Sequence, residues 1–483
     1  MNVKRNDIIL RPDPTRVFFR PFDLKDSGRI MRIVARVATL TDREAARECR
    51  NVLQHFANRH IDLEDYLLER FEEVREFLLT DHPLTRERRM LIGAYLTQEY
   101  ALEAAALFNP SIVPHPDQSG LPEGSLRFVL SLRAVGEGHI SSIAFRTGTI
   151  DAAGEITLNP PTRYVTAARA HPNPVYNKPL FERKLSELGL LHGFATSILS
   201  QLGEEFTWAE LDALLTTTLR RNRSLGAEAA SIAQGMRALA RANYEICFRP
   251  DSRYSERVIF PYTDAESRGI EDARFVLFTD DDGTRTYYAT YTAFDGNVIL
   301  PQILETTDFL RFRISTLNGP EVRNKGLALF PRRINGHYAM LSRQDGENIY
   351  LMYSDMLHFW YEKQVLMRPT EPWEFVQLGN CGSPIETEAG WLVLTHAVGP
   401  MRRYVISAVL LDLEDPSLVI GRLRKPLLEP TENEREGYVP NVVYSCGGIV
   451  HAGKLILPYA MSDQCSGFAT VDLDELLAAL TEK

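Results

Sequence analysis

Two carboxylates and an arginine stand in one short run, Gly269-Ile270-Glu271-Asp272-Ala273-Arg274, immediately ahead of the apolar stretch Phe275-Val276-Leu277-Phe278. A carboxylic acid held at the mouth of a strand can protonate a leaving-group oxygen. An arginine beside it can orient a substrate or set that acid's pKa. A salt bridge at a strand start uses the same residue types, so the run gains meaning only from what accompanies it.

Three further segments place polar side chains beside apolar runs. Asn324-Lys325-Gly326 leads into Leu327-Ala328-Leu329-Phe330-Pro331, and Met340-Leu341-Ser342-Arg343 follows. Gly379-Asn380-Cys381-Gly382-Ser383-Pro384 precedes Gly390-Trp391-Leu392-Val393-Leu394-Thr395-His396. Gly437-Tyr438-Val439-Pro440-Asn441-Val442-Val443-Tyr444 precedes Pro458-Tyr459-Ala460-Met461-Ser462-Asp463. Arg343, at a predicted strand end, can meet an oxyanion in bidentate fashion. His396 lies on an apolar run, where by itself a satisfied core histidine is the simpler reading.

The elements that must position these residues are of two kinds. Thr41-Asp42-Arg43-Glu44 is a capping box, and apolar residues at helical spacing follow it. The pattern predicts a second helix from Asp62 to Leu78 and a third from about Thr85 to Phe108. At Asn109-Pro110-Ser111 it changes: Leu126 to Val135 and His139 to Ile150 read as a strand pair joined by Gly136-Glu137-Gly138. A polar, proline-rich stretch spans Asn159 to Pro179, and helices return between about Leu180 and Tyr244, with a capping box at Thr207-Trp208-Ala209-Glu210. From about Val258 to Val471, short strands alternate with turns such as Asn335-Gly336 and Asp345-Gly346, and a last helix covers Leu473–Leu480. The predicted organisation is an N-terminal helical region 1–108, first strands 109–179, inserted helices 180–250 and a strand-rich remainder 251–483. Many short strands at even spacing mean a sandwich, a barrel or a propeller; with no exact repeat, the pattern alone does not choose.

Composition excludes several classes. A chain of 483 residues, 44% apolar and 24% charged, has the make-up of a globular protein with a large core. A net charge of −10 argues against general nucleic-acid binding. No segment approaches the ~20 apolar residues of a membrane span, and the N-terminus has no apolar signal core, so the expected location is cytoplasmic. Cys49, Cys247, Cys381, Cys446 and Cys465 are odd in number and form no C-x-x-C pair, which predicts thiols rather than disulfides or zinc ligands. No His/Asp/Glu cluster has metal-ligand spacing.

In their order, the four blocks resemble glycoside hydrolase family 130, the β-mannoside phosphorylases and β-mannosidases. The resemblance runs through about Asn109–Ile150 and Val258–Leu480 and leaves out the helices. It implies a mainly β fold, a five-bladed β-propeller with the site at its central channel, carrying the N-terminal helical region and the inserted helical segment as additions. It implies inverting phosphorolysis of β-linked mannosides to α-mannose 1-phosphate and a shortened acceptor, with inorganic phosphate as co-substrate and no cofactor. The alternative is an inverting β-mannosidase acting on β-1,2-mannosides, for which Glu386, Glu388 and Glu436 are weak candidates as base. A third reading is a propeller that only binds glycan or protein. The helices either cap the site or build a homo-oligomer.

The resemblance also assigns residues. It makes Asp272 the acid, with the proton reaching the glycosidic oxygen through a sugar hydroxyl. It gives Arg274 a support or substrate-orienting role and places Asp463 on hydroxyls of the mannose, with Asn109, Ser111 and Arg146 as further sugar or phosphate contacts. Lys325, Arg343, His396 and Tyr404 would hold phosphate. Trp360, Trp373 and Trp391 would stack on sugar faces or fill the core. Departures stand beside these. Ala273 replaces a usual proline, Thr395 a common tyrosine, and Met461-Ser462 a pair of alanines. Gln377 takes a lysine position of the phosphate pocket in some members, so a compensating cation must come from Arg311, Arg313, Arg402 or Arg403.

Overall fold

Outside the helices between Lys178 and Arg241, strand-forming residues dominate from Ala106 onward, and the chain there folds into mainly antiparallel sheets joined by tight turns. The computed structural model describes residues 2–482 apart from 23, 172–173, 222–225, 295 and 297–298; the run 222–225, inside the predicted inserted helices, lies outside the described residues.

The largest sheet has twelve strands. Ala106–Pro114, Leu126–Val135 and Ser141–Ile150 form one antiparallel group. Gly269–Thr279, Arg285–Phe294, Ile299–Thr306 and Arg311–Thr316 form a second. In the backbone ladder the two groups are joined by one parallel pairing, Gly269 with Ser141. A four-stranded sheet follows (Ala328–Leu329, Tyr338–Ser342, Ile349–Ser354, Gln364–Met367), then one built on Gln377–Asn380, Gly390–Val398, Tyr404–Leu411 and Val419–Arg422. The last sheet joins Val443–Tyr444, Lys454–Met461 and Cys465–Asp472 to the N-terminal strand Val3–Leu10, which pairs antiparallel with Cys465–Asp472. The central strand Gly390–Val398 is buried at every position, as a strand covered on both faces must be. Aromatic rings fill the gap beneath the large sheet, where Phe145, Phe275, Phe309 and Phe312 belong to one buried cluster.

The first capping box is present, with Thr41 and Glu44 bonded reciprocally at the start of helix Asp42–Phe56. Thr207 and Glu210 bond likewise ahead of helix Trp208–Arg221.

Two boundaries are corrected. The region 1–108 is not helical throughout. The predicted third helix stops at Tyr95, and Thr97–Ala101 instead pairs with Val17–Pro21. The Ala, Leu and Glu content of 96–106 favours helix, but Tyr100 is buried against Phe18 and Phe260; tertiary burial overrides propensity. The inserted helices end at Arg241, because Tyr244–Cys247 enters the large sheet between Arg311–Thr316 and Arg169–Ala170.

Candidate active site

Every one of these sheets contributes a side chain to one cavity of about 330 Å³. Asn109 and Arg133 come from the first group of strands, Asp272 from the second, and Asn324, Lys325 and Arg343 from the turns of the four-stranded sheet. Gln377, Arg402 and Tyr404 come from the next, and Tyr444 and Asp463 from the last.

Local backbone geometry aims the polar groups. Between Phe108 and Ser111, and again between Glu271 and Arg274, the strand carries one residue more than its partner. Such bulges re-aim a side chain, and each holds a left-handed residue: Asn109 at φ 48° and Asp272 at φ 53°. Asn324, Arg402 and Asp463 are left-handed too, at φ 62°, 55° and 51°. Asn and Asp tolerate this conformation, whereas for Arg402 it is strained. Strain gathered on one cavity is a mark of function.

Asp272, 9% exposed, accepts from Asn109 Nδ2 at 2.7 Å and from Arg133 Nη1 at 3.4 Å. Arg133 also donates to Glu271 at 2.8 Å, and Lys325 bonds the other oxygen of Glu271. Burial by itself would raise the Asp272 carboxyl. Arg133, Arg274, the Asn109 hydrogen bond and Lys325 outweigh it and hold the group at about 2. Asp463 has the opposite balance: burial and the nearby Asp272 push it up to about 6 against Arg133 and Arg402. The two carboxylates are therefore held apart in acidity, one ionised and one poised to titrate.

On the other side lies Arg343. Its Nη1 donates to His396 Nε2 at 3.2 Å, and Gln377 donates to the same nitrogen at 3.3 Å. A guanidinium cannot accept, so this imidazole is neutral; burial, with Arg343 and Arg274 adding to it, lowers its pKa well below the ordinary value. Arg343 Nε is buried without a partner. Two glycines make room for the pair. A Cβ on Gly326 would stand 2.6 Å from Arg343 Nε, and one on Gly379 2.4 Å from His396 Cε1.

Asn109, Asp272, Asp463, Lys325, Arg343 and Tyr404 thus meet in the cavity. Four other expected contacts do not line it. Arg274 is buried behind the acid, donating to the Asp272 carbonyl (3.0 Å), the Cys381 carbonyl (2.8 Å) and the Tyr444 hydroxyl (2.7 Å); it positions the bulge rather than a substrate. Ser111 accepts from the Phe275 amide at 3.0 Å and ties the two bulged strands together. Arg146 turns away to a buried carboxylate, Glu103, at 2.7 and 3.0 Å. His396 is fully buried and meets the cavity lining through Arg343 and Gln377, with its ring packed against Tyr444. Trp360 and Trp391 are fully buried core.

Arg133, Asn324 and Tyr444 were missed by motif reasoning. Arg133 left a signal, as a charged residue between Leu132 and Ala134 on an otherwise apolar strand. Of the alternative cations, Arg402 lines the cavity. Arg403 pairs with Glu429, Arg313 pairs with Glu245 and Glu305, and Arg311 lies in a separate groove. The arrangement brings a buried carboxylate and several cations to one cavity, which suits acid-assisted displacement by an anionic nucleophile.

Comparison with known proteins agrees with that chemistry. Residues 249–482 match the model of a family described as beta-1,4-mannooligosaccharide phosphorylase. A 1,2-beta-oligomannan phosphorylase of Thermoanaerobacter sp. is 38% identical over 232 residues, 46% of this chain and 75% of that protein. A beta-1,2-mannobiose phosphorylase of Listeria innocua is 32% identical over 231 residues, 46% of this chain and 63% of that protein. The solved structure of a beta-1,2-mannobiose phosphorylase from Listeria innocua aligns at a TM-score of 0.45 with 22% identity, covering 79% of this chain and 93% of that one.

Proposed function

Because this chain belongs to glycoside hydrolase family 130, we propose that its cavity carries out inverting phosphorolysis of β-linked mannosides. A phosphate oxygen attacks C1 from the α face, the bond from C1 to the glycosidic oxygen breaks, and that oxygen leaves with a proton supplied from Asp272 through a sugar hydroxyl. The products are α-mannose 1-phosphate and an acceptor shortened by one mannose. Phosphate is already nucleophilic, so the protein needs a cationic pocket where a hydrolase needs a base. The single observation that carries this reading is that Lys325, Arg343 and Arg402 line the same cavity as Asp272.

Asp272 is ionised at neutral pH, and an acid must first take a proton. A phosphate anion among Arg343, Lys325 and Arg402 offsets the charges that hold the Asp272 carboxyl low. The phosphate that attacks thereby also prepares the acid.

The candidate bases support the same choice. Glu386, Glu388 and Glu436 are exposed and do not line the cavity, and Glu386 is paired with Arg332 at 2.9 Å. Asp463 is the remaining carboxylate among the described lining residues. A five-bladed propeller is the architecture we favour. Its support is the five antiparallel strand groups that converge on one cavity and the pairing of the N-terminal strand with the last sheet. A cytoplasmic setting suits the reading, since a phosphorylated product is retained there.

The direct test is anomer-resolved NMR on β-1,2- and β-1,4-mannobiose with and without phosphate. α-Mannose 1-phosphate formed only with phosphate is the expected result. Free mannose at equal rates in both buffers would assign hydrolysis, with Asp463 as base.

Two predictions arise here. Arg402→Ala is expected to raise the KM for phosphate by about tenfold, the worth of one charge-assisted hydrogen bond. Gln377→Lys in that background is expected to recover most of the loss, since it returns a cation to the same cavity. A double variant as weak as the single one would remove Arg402 from the phosphate site.

The second concerns pH. Asp463 accepts sugar hydroxyls through both oxygens, and most strongly, when ionised, so kcat/KM is expected to fall below about pH 6. Its folded pKa lies above the unfolded value, so its contribution to stability is fully present below pH 3.8 and lost as pH rises through about 6. Asp463→Asn is therefore expected to remove the acid limb of the profile and to gain stability over the parent at pH 8 relative to pH 5. An unchanged acid limb in that variant would place the titration elsewhere.

A further inference from the structure

The helices Lys178–Glu187, Gly193–Leu199, Trp208–Arg221 and Gly226–Arg241 lie outside the segment that matches the family. Where they meet the large sheet there is a second cavity of about 430 Å³. Its walls are mostly apolar, with Val175, Tyr176, Leu180 and Phe181 on the helical side and Tyr244 and Ile314 on the strands. Lys184 faces into it from the buried side of its helix, 2% exposed.

The bonding of Lys184 is unusual for a lysine. Its Nζ donates to Asn243 Oδ1 at 2.6 Å. That oxygen also accepts from the Thr316 amide at 3.2 Å, and the Asn243 amide nitrogen caps the Leu239 carbonyl at 2.7 Å. Among the described residues, no carboxylate comes within ion-pair distance of Lys184. Glu205 and Glu245 line the same cavity, but Glu245 is engaged with Arg313 at 3.1 Å. A buried ammonium with one neutral partner is costly, and the amine answers by shedding its proton. Burial accordingly pulls Lys184 down to about 7. The surroundings agree. His358 is neutral, lowered to about 3 by burial and then by Lys184 and Arg313, and its Nδ1 is buried without a partner. An arginine could not fill this position, because it does not deprotonate.

A neutral amine in an apolar cavity is a nucleophile waiting for a carbonyl. The cavity also selects among carbonyl compounds. Arg313 also lines it but is paired with Glu245, so Glu205 is left to disfavour an anion, and the apolar part of the lining favours a compact neutral body. We propose that Lys184 is a reactive-amine site that captures small, neutral, apolar aldehydes as imines. The amine nitrogen adds to the carbonyl carbon, both amine protons pass to the carbonyl oxygen, water leaves and a C=N bond forms, with no change of oxidation state. This site is separate from the phosphorolytic cavity and stands or falls independently of it.

The test uses the unaltered chain, so no variant has to fold. The protein is exposed to a low concentration of benzaldehyde with cyanoborohydride, which reduces each imine to a stable amine, and label is located by peptide mass spectrometry. Lys184 is expected to carry at least about ten times the label of the exposed Lys25 and Lys425 at pH 7. Because Lys184 is already half neutral at pH 7, whereas an ordinary exposed amine gains its neutral form only toward pH ~10, the ratio of label on Lys184 to label on the exposed lysines is expected to fall by more than about tenfold between pH 7 and 9. Label on Lys25 and Lys425 with Lys184 unmodified would overturn the proposal, and so would a ratio that does not move with pH.

Discussion

Asp272→Asn is expected to lower kcat for phosphorolysis of β-1,2-mannobiose by about 10³-fold or more, while phosphate binds at least as tightly as before. The substitution keeps the shape of the side chain, and its amide oxygen can still accept from Asn109, so the bulge keeps its geometry. What disappears is the group that carries the proton to the leaving oxygen, and no other lining carboxylate is placed to replace it: Asp463 comes from a different sheet and faces the sugar hydroxyls in this reading. The effect on phosphate has the opposite sign. Removing a buried negative charge frees Arg133 of its 3.4 Å partner and leaves the cavity more cationic. Release of mannose 1-phosphate measures the first quantity, and titration calorimetry with inorganic phosphate the second. A variant retaining about a tenth of the parental kcat would show that Asp272 is not the acid. Loss of phosphate binding together with turnover would make its role structural.

Arg343→Ala is expected to raise the KM for phosphate on the order of 100-fold, with a much smaller effect on the acceptor. The guanidinium is held by His396, which also accepts from Gln377, and its Nε is buried with no acceptor of its own. An oxyanion arriving in the cavity supplies that acceptor. Two charge-assisted bonds at about 1.5 kcal/mol each correspond to roughly 100-fold. Arg343→Lys is expected to recover little. A single ammonium cannot donate to His396 and clasp two phosphate oxygens in one plane. Steady-state kinetics over phosphate concentration, at saturating mannobiose, separates the KM effect from kcat. Equal loss at all phosphate concentrations would place Arg343 on the sugar instead.

Much of the fold was legible in the chain because it rests on local patterns. Capping boxes at Thr41 and Thr207 start helices, and turns such as Asn335-Gly336 separate strands whose apolar residues are buried on both faces. The errors fell where a distant partner decides the outcome. Residues 97–101 have the composition of a helix end and became a strand because Val17–Pro21 offered an edge and Tyr100 found Phe18 and Phe260.

The site divides in the same way. The family resemblance carried by the sequence blocks singled out Asn109, Asp272, Lys325, Arg343, Tyr404 and Asp463 as candidates for a sugar and phosphate site. Only the tertiary structure decided that Arg274 stands behind the acid, because its partners, Cys381 and Tyr444, lie more than a hundred residues away. Only the tertiary structure sent Arg146 to Glu103 and selected Arg402 over its neighbour Arg403, through a left-handed turn that points one guanidinium into the cavity and leaves the other on Glu429. Local propensity and spacing are properties of neighbouring residues and can be read along the chain. The direction of a long polar side chain is set by one-residue bulges and by counter-charges that folding brings from elsewhere, and those exist only once the sheets have closed around them.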